Sequence, residues 1–310
     1  MLGPVVSGSN RFDPDCRRSM TDHNPPPIIT QSRDLLARYD VLFCDVWGVI
    51  HDGFNAYPGA VRALTAFRRN GGTVVLVSNA PVPTLRVARM LADRNVDPQS
   101  FDEIVSSGAI ALDHVAQKKY EAVYAIGPRE RDAAFMEKLT AATVPLHDAQ
   151  AIVCTGLNDD RTETVSDYAA VLEGGRDLGL PFVCANPDLV VDVGGKHYVC
   201  AGALGEAYAA LGGEVFWAGK PHPSAYETAL ARAQAIRQAD VPKSRILAIG
   251  DAIRTDLKSA ESAGVDALFV TSGIHRAETM TGGHVDPEKL ARAFGAGSPP
   301  AVAATALLDW

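Results

Sequence analysis

The sequence predicts an α/β protein organised around a parallel sheet. Short, wholly apolar runs end at polar residues, amphipathic stretches lie between them, and this order repeats along most of the 310 residues. The first run, Val41-Leu42-Phe43-Cys44, ends at Asp45 and has the character of a strand buried on both faces. A helix starts at Pro58, carries apolar Val61, Leu64, Ala66 and Phe67, and stops at Gly71-Gly72. A strand over 73–77 follows, then a helix over 84–94 with Leu85, Ala88 and Leu91 on one face. Further strands are expected at 122–126, 151–154, 182–185, 215–218, 246–249 and 267–270, with a helix over 224–239.

The length suits two domains of about 150 residues each. Apolar residues make up 47% and charged residues 21%, which excludes a disordered or fibrous bulk. Twenty-nine basic residues against 37 acidic ones leave a formal charge of −8 with no basic run, so nucleic acid is not an expected partner. The five cysteines are scattered without a C-x-x-C pair, as buried thiols in a reducing compartment would be. There is no apolar run of the roughly 18 residues a membrane span needs and no signal-peptide pattern. A cytoplasmic location without a membrane partner is therefore expected. Residues 1–30, punctuated by proline, serine and asparagine, are expected to form a disordered tail, and Met20 is a second candidate start.

In parallel α/β sheets the working residues sit at the carboxyl ends of strands. Four such ends carry chemistry here: Asp45, Ser78-Asn79, Gly219-Lys220-Pro221, and Gly250-Asp251 with Asp256 five positions on. Carboxylates at 45 and 251 suit Mg²⁺, a hard cation that prefers oxygen ligands. Ser78 and Lys220 are donors for a phosphoryl group, and Asp45 is a nucleophile for it. Each residue alone has a bland reading. Asp45 could cap a turn, Asp256 sits in a predicted helix beside Arg254 and Lys258 as a surface residue would, and Lys220 could be a solvated loop lysine. The order and strand-end placement together favour the chemical reading.

These residues resemble the motifs of the haloacid dehalogenase superfamily, class IIA, the NagD-like hydrolases and phosphatases. The similarity runs through Asp45, Ser78, Lys220 and Gly250-Asp251 to Asp256, and includes Asn186-Pro187-Asp188 and Gly202-Ala203-Leu204. The resemblance implies a Rossmann-like, doubly wound parallel-sheet core at 31–106 and 203–310, with an α/β cap inserted at 107–202 between motifs two and three. That cap would carry −6 of the −8 charge. It further implies an aspartyl-phosphate on Asp45, with Mg²⁺ held by Asp45, the backbone carbonyl of Trp47 and Asp251. Asn79 and Asp256 would support this set, and Asn186 and Asp188 would select the leaving group. The expected substrate is a small phosphorylated metabolite: a sugar, polyol, nucleotide or aryl phosphate. The resemblance leaves open a homodimer formed through the cap.

One position departs from the pattern. The family places an acid/base aspartate two residues after the nucleophile, where this chain has Trp47, whose indole does not titrate in the working range. Losing such a group costs about 10²–10⁴-fold in rate. The indole itself is expected to pack under the cap. Three outcomes stay open: His51 or Asp52 takes over the role, the substrate has a leaving group that needs little protonation, or the protein is a catalytically impaired binder of a phosphorylated metabolite with a regulatory role.

Overall fold

The structure, a computed structural model, describes residues 25–193 and 196–310. The parallel strands are β1 (Val41–Cys44), β2 (Thr73–Ser78), β3 (Glu103–Ser106), β4 (Ala122–Ile126), β5 (Ala142–Thr143), β6 (Ala151–Cys154) and β7 (Phe182–Cys184). A hairpin of β8 (Val190–Val193) and β9 (Lys196–Val199) precedes β10 (Val215–Trp217), β11 (Ile246–Gly250) and β12 (Asp266–Val270). A second short hairpin, β13 (Met280–Thr281) and β14 (His284–Val285), comes before the edge strand β15 (Ala303–Thr305).

The first sheet has the order β15-β12-β11-β1-β2-β3 and is parallel throughout. The chain runs outward from β1 through β2 to β3, then returns and runs outward the other way from β11 through β12 to β15. The winding reverses between β1 and β11. A crevice opens at such a reversal, because the connections leave on opposite sides. Asp45 and Asp251, one residue beyond each of these strands, therefore meet there.

All four residues of β1 are buried, since both faces of the sheet are covered. Val41 and Phe43 join one apolar cluster, with Tyr226 and Ala229 of the helix Pro223–Arg237. Leu42 and Cys44 join the opposite cluster, with Leu64 and Phe67 of the helix Pro58–Arg69. Burial of each large aliphatic side chain contributes about 1.5–3 kcal/mol, which anchors the strand ends that carry the polar groups.

The second sheet, β10-β7-β6-β4-β5, is also parallel. It contains β10, which lies beyond the expected boundary at 202/203: Val215–Trp217 pairs with Phe182–Cys184. The helix Ala201–Ala210 belongs with this unit too, burying Leu204 and Tyr208 against Phe182 and Cys184. Val215–Trp217 thus lies in this second sheet, at the edge of β7.

Of the tail expected over 1–30, residues 1–24, with Met20 and Cys16, lie outside the described residues. Ile28 bridges to Ala304, and the Ile29 N–H donates to the Ala304 carbonyl at 2.8 Å, so the sheet edge takes up chain within that range. Cys44, Cys154, Cys184 and Cys200 are buried free thiols. Among the described residues no helix is long and apolar enough to cross a membrane.

Candidate active site

Asp45 follows β1, and its own N–H donates to the Ile249 carbonyl of β11, which sets the carboxylate at the reversal between the two strands. Lys220 arrives from the end of β10 and is 2% exposed. Its Nζ donates to Asp45 Oδ1 at 2.6 Å, to Asp256 Oδ1 at 2.6 Å and to the Val77 carbonyl at 2.8 Å. The Val77 bond places the lysine tip beside Ser78, the last residue of β2. Asp251 follows β11 and accepts the Ile274 N–H on Oδ2 at 2.7 Å. Asp45, Asp251 and Asp256 each offer a carboxylate oxygen, and these lie within 4.8 Å of one another.

Asp256 is buried rather than on a surface helix. Residues Ile253–Leu257 form a π-helical turn, a rare geometry that often marks functional sites, and it swings Asp256 inward. Its Oδ2 accepts the Ala252 N–H at 3.1 Å while Oδ1 accepts Lys220, so both oxygens are committed to positioning. Gly250 permits this close packing: a Cβ there would stand 2.1 Å from the Asp256 carboxyl carbon.

The electrostatics follow from burial. Burial pushes the Asp45 carboxyl up to about 7, with Lys220 pulling down and Asp256 pushing up. Asp251 is held well above the usual carboxylate range, first by burial and then by Asp45 and Asp256. For Lys220 burial acts downward, but Asp256 and Asp45 outweigh it and keep the ammonium charged far above its ordinary value. Three buried carboxylates facing one lysine are short of positive charge. That donor set fits a divalent cation with oxygen ligands, with Asp45 and Asp251 as the carboxylates to hold it.

Asn79 ties the linkers between the two units to this site. Its Nδ2 donates to Asp188 Oδ1 and to the Lys220 carbonyl, both at 2.9 Å, while its Oδ1 accepts the Lys220 N–H at 2.9 Å and the Ser107 hydroxyl at 3.2 Å. Asn186 Oδ1 accepts the Asp188 N–H at 3.1 Å, so both residues sit at this crossing. Burial raises the Asp188 carboxyl, against Asn79 and Lys220.

Trp47 packs against the short flap that follows it. Its ring meets His51 edge-on, with centroids 5.2 Å apart, and a Cβ on Gly53 would stand 2.5 Å from its edge. Each expected substitute has one acceptor atom engaged by the backbone. His51 Nδ1 accepts the Gly53 N–H at 3.0 Å, and burial, then Arg94, push its imidazole down to about 4, so it is neutral at pH 7. Asp52 Oδ1 caps its own turn, accepting from Phe54 and Asn55 at 2.8 and 2.7 Å. Those bonds, Asn55's foremost, hold it below the usual range as a fixed anion. His222 stacks on Trp217 with centroids 4.6 Å apart.

Three contributors escaped the sequence reading. Arg94 clamps the flap, donating to the Gly53 carbonyl from Nε at 3.0 Å and Nη2 at 2.6 Å, and nothing local to Arg94 signals this. Gly48 and Gly273 enclose Asp251: a Cβ on either would stand 2.1 or 1.8 Å from Asp251 Oδ2. Gly48 also has φ +82°, and a glycine three residues after a strand-end carboxylate was the available clue. Gly48→Ala is therefore expected to strain the backbone and displace Asp251, lowering the melting temperature by several degrees and abolishing cation-induced stabilisation. An unchanged thermal-shift response to Mg²⁺ would count against that role.

The chain has counterparts among known proteins. Residues 42–142 match the family described as haloacid dehalogenase-like hydrolase, and residues 217–296 match HAD-hydrolase-like. A solved hydrolase of the haloacid dehalogenase-like family from Brucella suis 1330 is 38% identical, with a TM-score of 0.78, and the match covers 91% of this chain and 100% of that one. The chain belongs to the haloacid dehalogenase-like hydrolases. Within that family it is similar to the ribonucleotide monophosphatase NagD of Escherichia coli strain K12, 28% identical over 239 residues, covering 75% of this chain and 88% of NagD. It is also similar to the acid sugar phosphatase of Staphylococcus epidermidis, 22% identical over 255 residues, covering 81% and 94%. This haloacid dehalogenase-like hydrolase thus bears out the NagD-like resemblance read from its strand-end motifs.

Proposed function

We propose that this chain is a Mg²⁺-dependent phosphohydrolase that removes phosphate from a small metabolite through an aspartyl-phosphate on Asp45. The observation that carries the reading is the buried Asp45 carboxylate, paired with Lys220 at 2.6 Å and set beside Asp251 at the reversal of the sheet. The names of its relatives, a ribonucleotide monophosphatase and an acid sugar phosphatase, support a phosphate-ester substrate.

In this reading Asp45 attacks phosphorus, and Lys220, exchanging its bond to Asp45 for one to the substrate, donates with Ser78 to the phosphoryl oxygens as charge builds on them. Asp256 holds the lysine in place, and Asn79 keeps the Lys220 backbone in register with β2. Asp188 and Asn186 stand at the crossing between the two units, where the leaving group is selected. Mg²⁺, held by Asp45, the Trp47 carbonyl and Asp251, would offset the repulsion between carboxylates and an anionic substrate. Four buried free thiols and a small-metabolite substrate suit the cytoplasm.

Purified protein with Mg²⁺ and p-nitrophenyl phosphate is expected to release nitrophenolate, and a chelator is expected to stop it. Mg²⁺ alone is expected to raise the melting temperature, a readout independent of turnover. Release no faster than in Asp45→Asn would sink the enzymatic reading. Trp47 favours a second one, a degenerate hydrolase that binds a phosphorylated metabolite for a regulatory purpose. Calorimetric binding of such a metabolite with no turnover would select it.

A further inference from the structure

Position 47 at this site carries an indole where a carboxylate could have moved a proton. Lys220, Asp256 and Asp251 lie around Asp45, and each is already engaged. Lys220 spends its donors on Asp45, Asp256 and the Val77 carbonyl, Asp256 spends both oxygens, and Asp251 accepts from Ile274. On the flap side stands the indole of Trp47, wedged on Gly53, whose carbonyl Arg94 clamps. The Gly53 N–H occupies His51 Nδ1, and Asp52 Oδ1 caps its turn. Position 47 thus offers only an indole N–H, which donates and does not titrate, and the groups bonded around Asp45 are committed to one another.

We propose that this arrangement restricts the substrate to phosphates whose leaving group departs as a stable anion, aryl and acyl phosphates first, and makes the phosphorylated form of Asp45 accumulate during turnover. The inference rests on the phosphohydrolase reading above and deepens it. In the first step an Asp45 carboxylate oxygen forms a bond to phosphorus and the bond from phosphorus to the leaving oxygen breaks. The electron pair leaves on that oxygen, which takes its proton later from solvent. This step tolerates the missing acid only where the departing anion is weakly basic. In the second step water attacks phosphorus, the bond to Asp45 breaks and the carboxylate is restored. The water proton passes to solvent or to the released phosphate, with no carboxylate at position 47 to draw it off during attack. The second step is therefore the slow one.

Rapid mixing of the wild-type protein with Mg²⁺ and p-nitrophenyl phosphate tests this directly. A burst of nitrophenolate approaching one per protein molecule is expected, followed by a steady rate slower by roughly 10²–10⁴-fold, the scale of a missing general base. Acid-quenched protein is expected to gain the mass of one phosphoryl group, absent in Asp45→Asn. Hydroxylamine is expected to remove that mass and leave a hydroxamate at Asp45. An alkyl phosphate of similar size is expected to react roughly 10²–10⁴-fold more slowly in the burst phase than the aryl phosphate.

Linear release from the first turnover, with no mass gain and equal rates for alkyl and aryl phosphates, would overturn this inference and leave the phosphohydrolase reading intact. Neither release nor mass gain above Asp45→Asn overturns both.

Discussion

Asp45→Asn is expected to lower turnover of p-nitrophenyl phosphate by roughly 10⁴–10⁶-fold, the scale on which removal of a nucleophile acts. The amide keeps the volume and can still accept from Lys220, but it cannot form the bond to phosphorus. The fold should survive, because the substitution removes a buried charge rather than a packing element. Burial raises the Asp45 carboxyl from 3.8 to about 7 in the folded chain, so between those values the folded state holds a proton that the unfolded state has released. This contribution to stability is present below about pH 4 and is lost as pH rises toward 7. In metal-free buffer the variant is therefore expected to lose less melting temperature than wild type between pH 4 and pH 7. Equal turnover in the two proteins would remove Asp45 from the chemistry, whatever the melting curves show.

Lys220→Met has the largest expected effect on stability. The ammonium is enclosed by Asp45, Asp256 and the Val77 carbonyl, and its side chain is 2% exposed. Without it, buried carboxylates face one another with no cation between them. Breaking such a buried network by removing one partner costs about 3–5 kcal/mol. For a chain of this size that corresponds to a fall in melting temperature of roughly 6–20 °C. Adding Asp256→Asn should restore part of the loss, because the second change removes the charge the first left exposed. Thermal melts of both singles and the double variant measure this coupling. A single variant that melts with wild type would show that Lys220 is not holding the carboxylates together. Turnover should fall as well, by about 10²–10³-fold, as when an oxyanion donor is lost.

How far the site was legible depends on which physics sets each residue. Strands β1, β2, β11 and β12 declare themselves because burial on both faces demands unbroken apolar runs, and their end residues follow. β3 and β15 were missed: Glu103 opens the one, and the other is Ala303-Ala304-Thr305, so neither reads as such a run. Asp256 read as a surface residue because a regular helix would turn it outward beside Arg254 and Lys258, and a π-helical turn is not visible in residue spacing. The end of the inserted unit was placed too early because Ala201–Ala210 and Val215–Trp217 are as apolar as core elements, and only pairing with β7 assigns them.

The sequence by itself determined the chemistry at the strand ends: Asp45, Ser78, Lys220 and Asp251, oxygen ligands and donors suited to a phosphate. It also determined that position 47 carries no carboxylate. Those are properties of residue type and of local period. Tertiary structure decided how each group is used. Lys220 meets Asp45 from 175 positions away, Asn79 meets Asp188 from 109, and Arg94 reaches the flap from 41. It also ties His51 Nδ1 and Asp52 Oδ1 to backbone N–H groups of the flap. A hydrogen bond is won by the nearest partner in space, and that partner exists only once the sheets have formed.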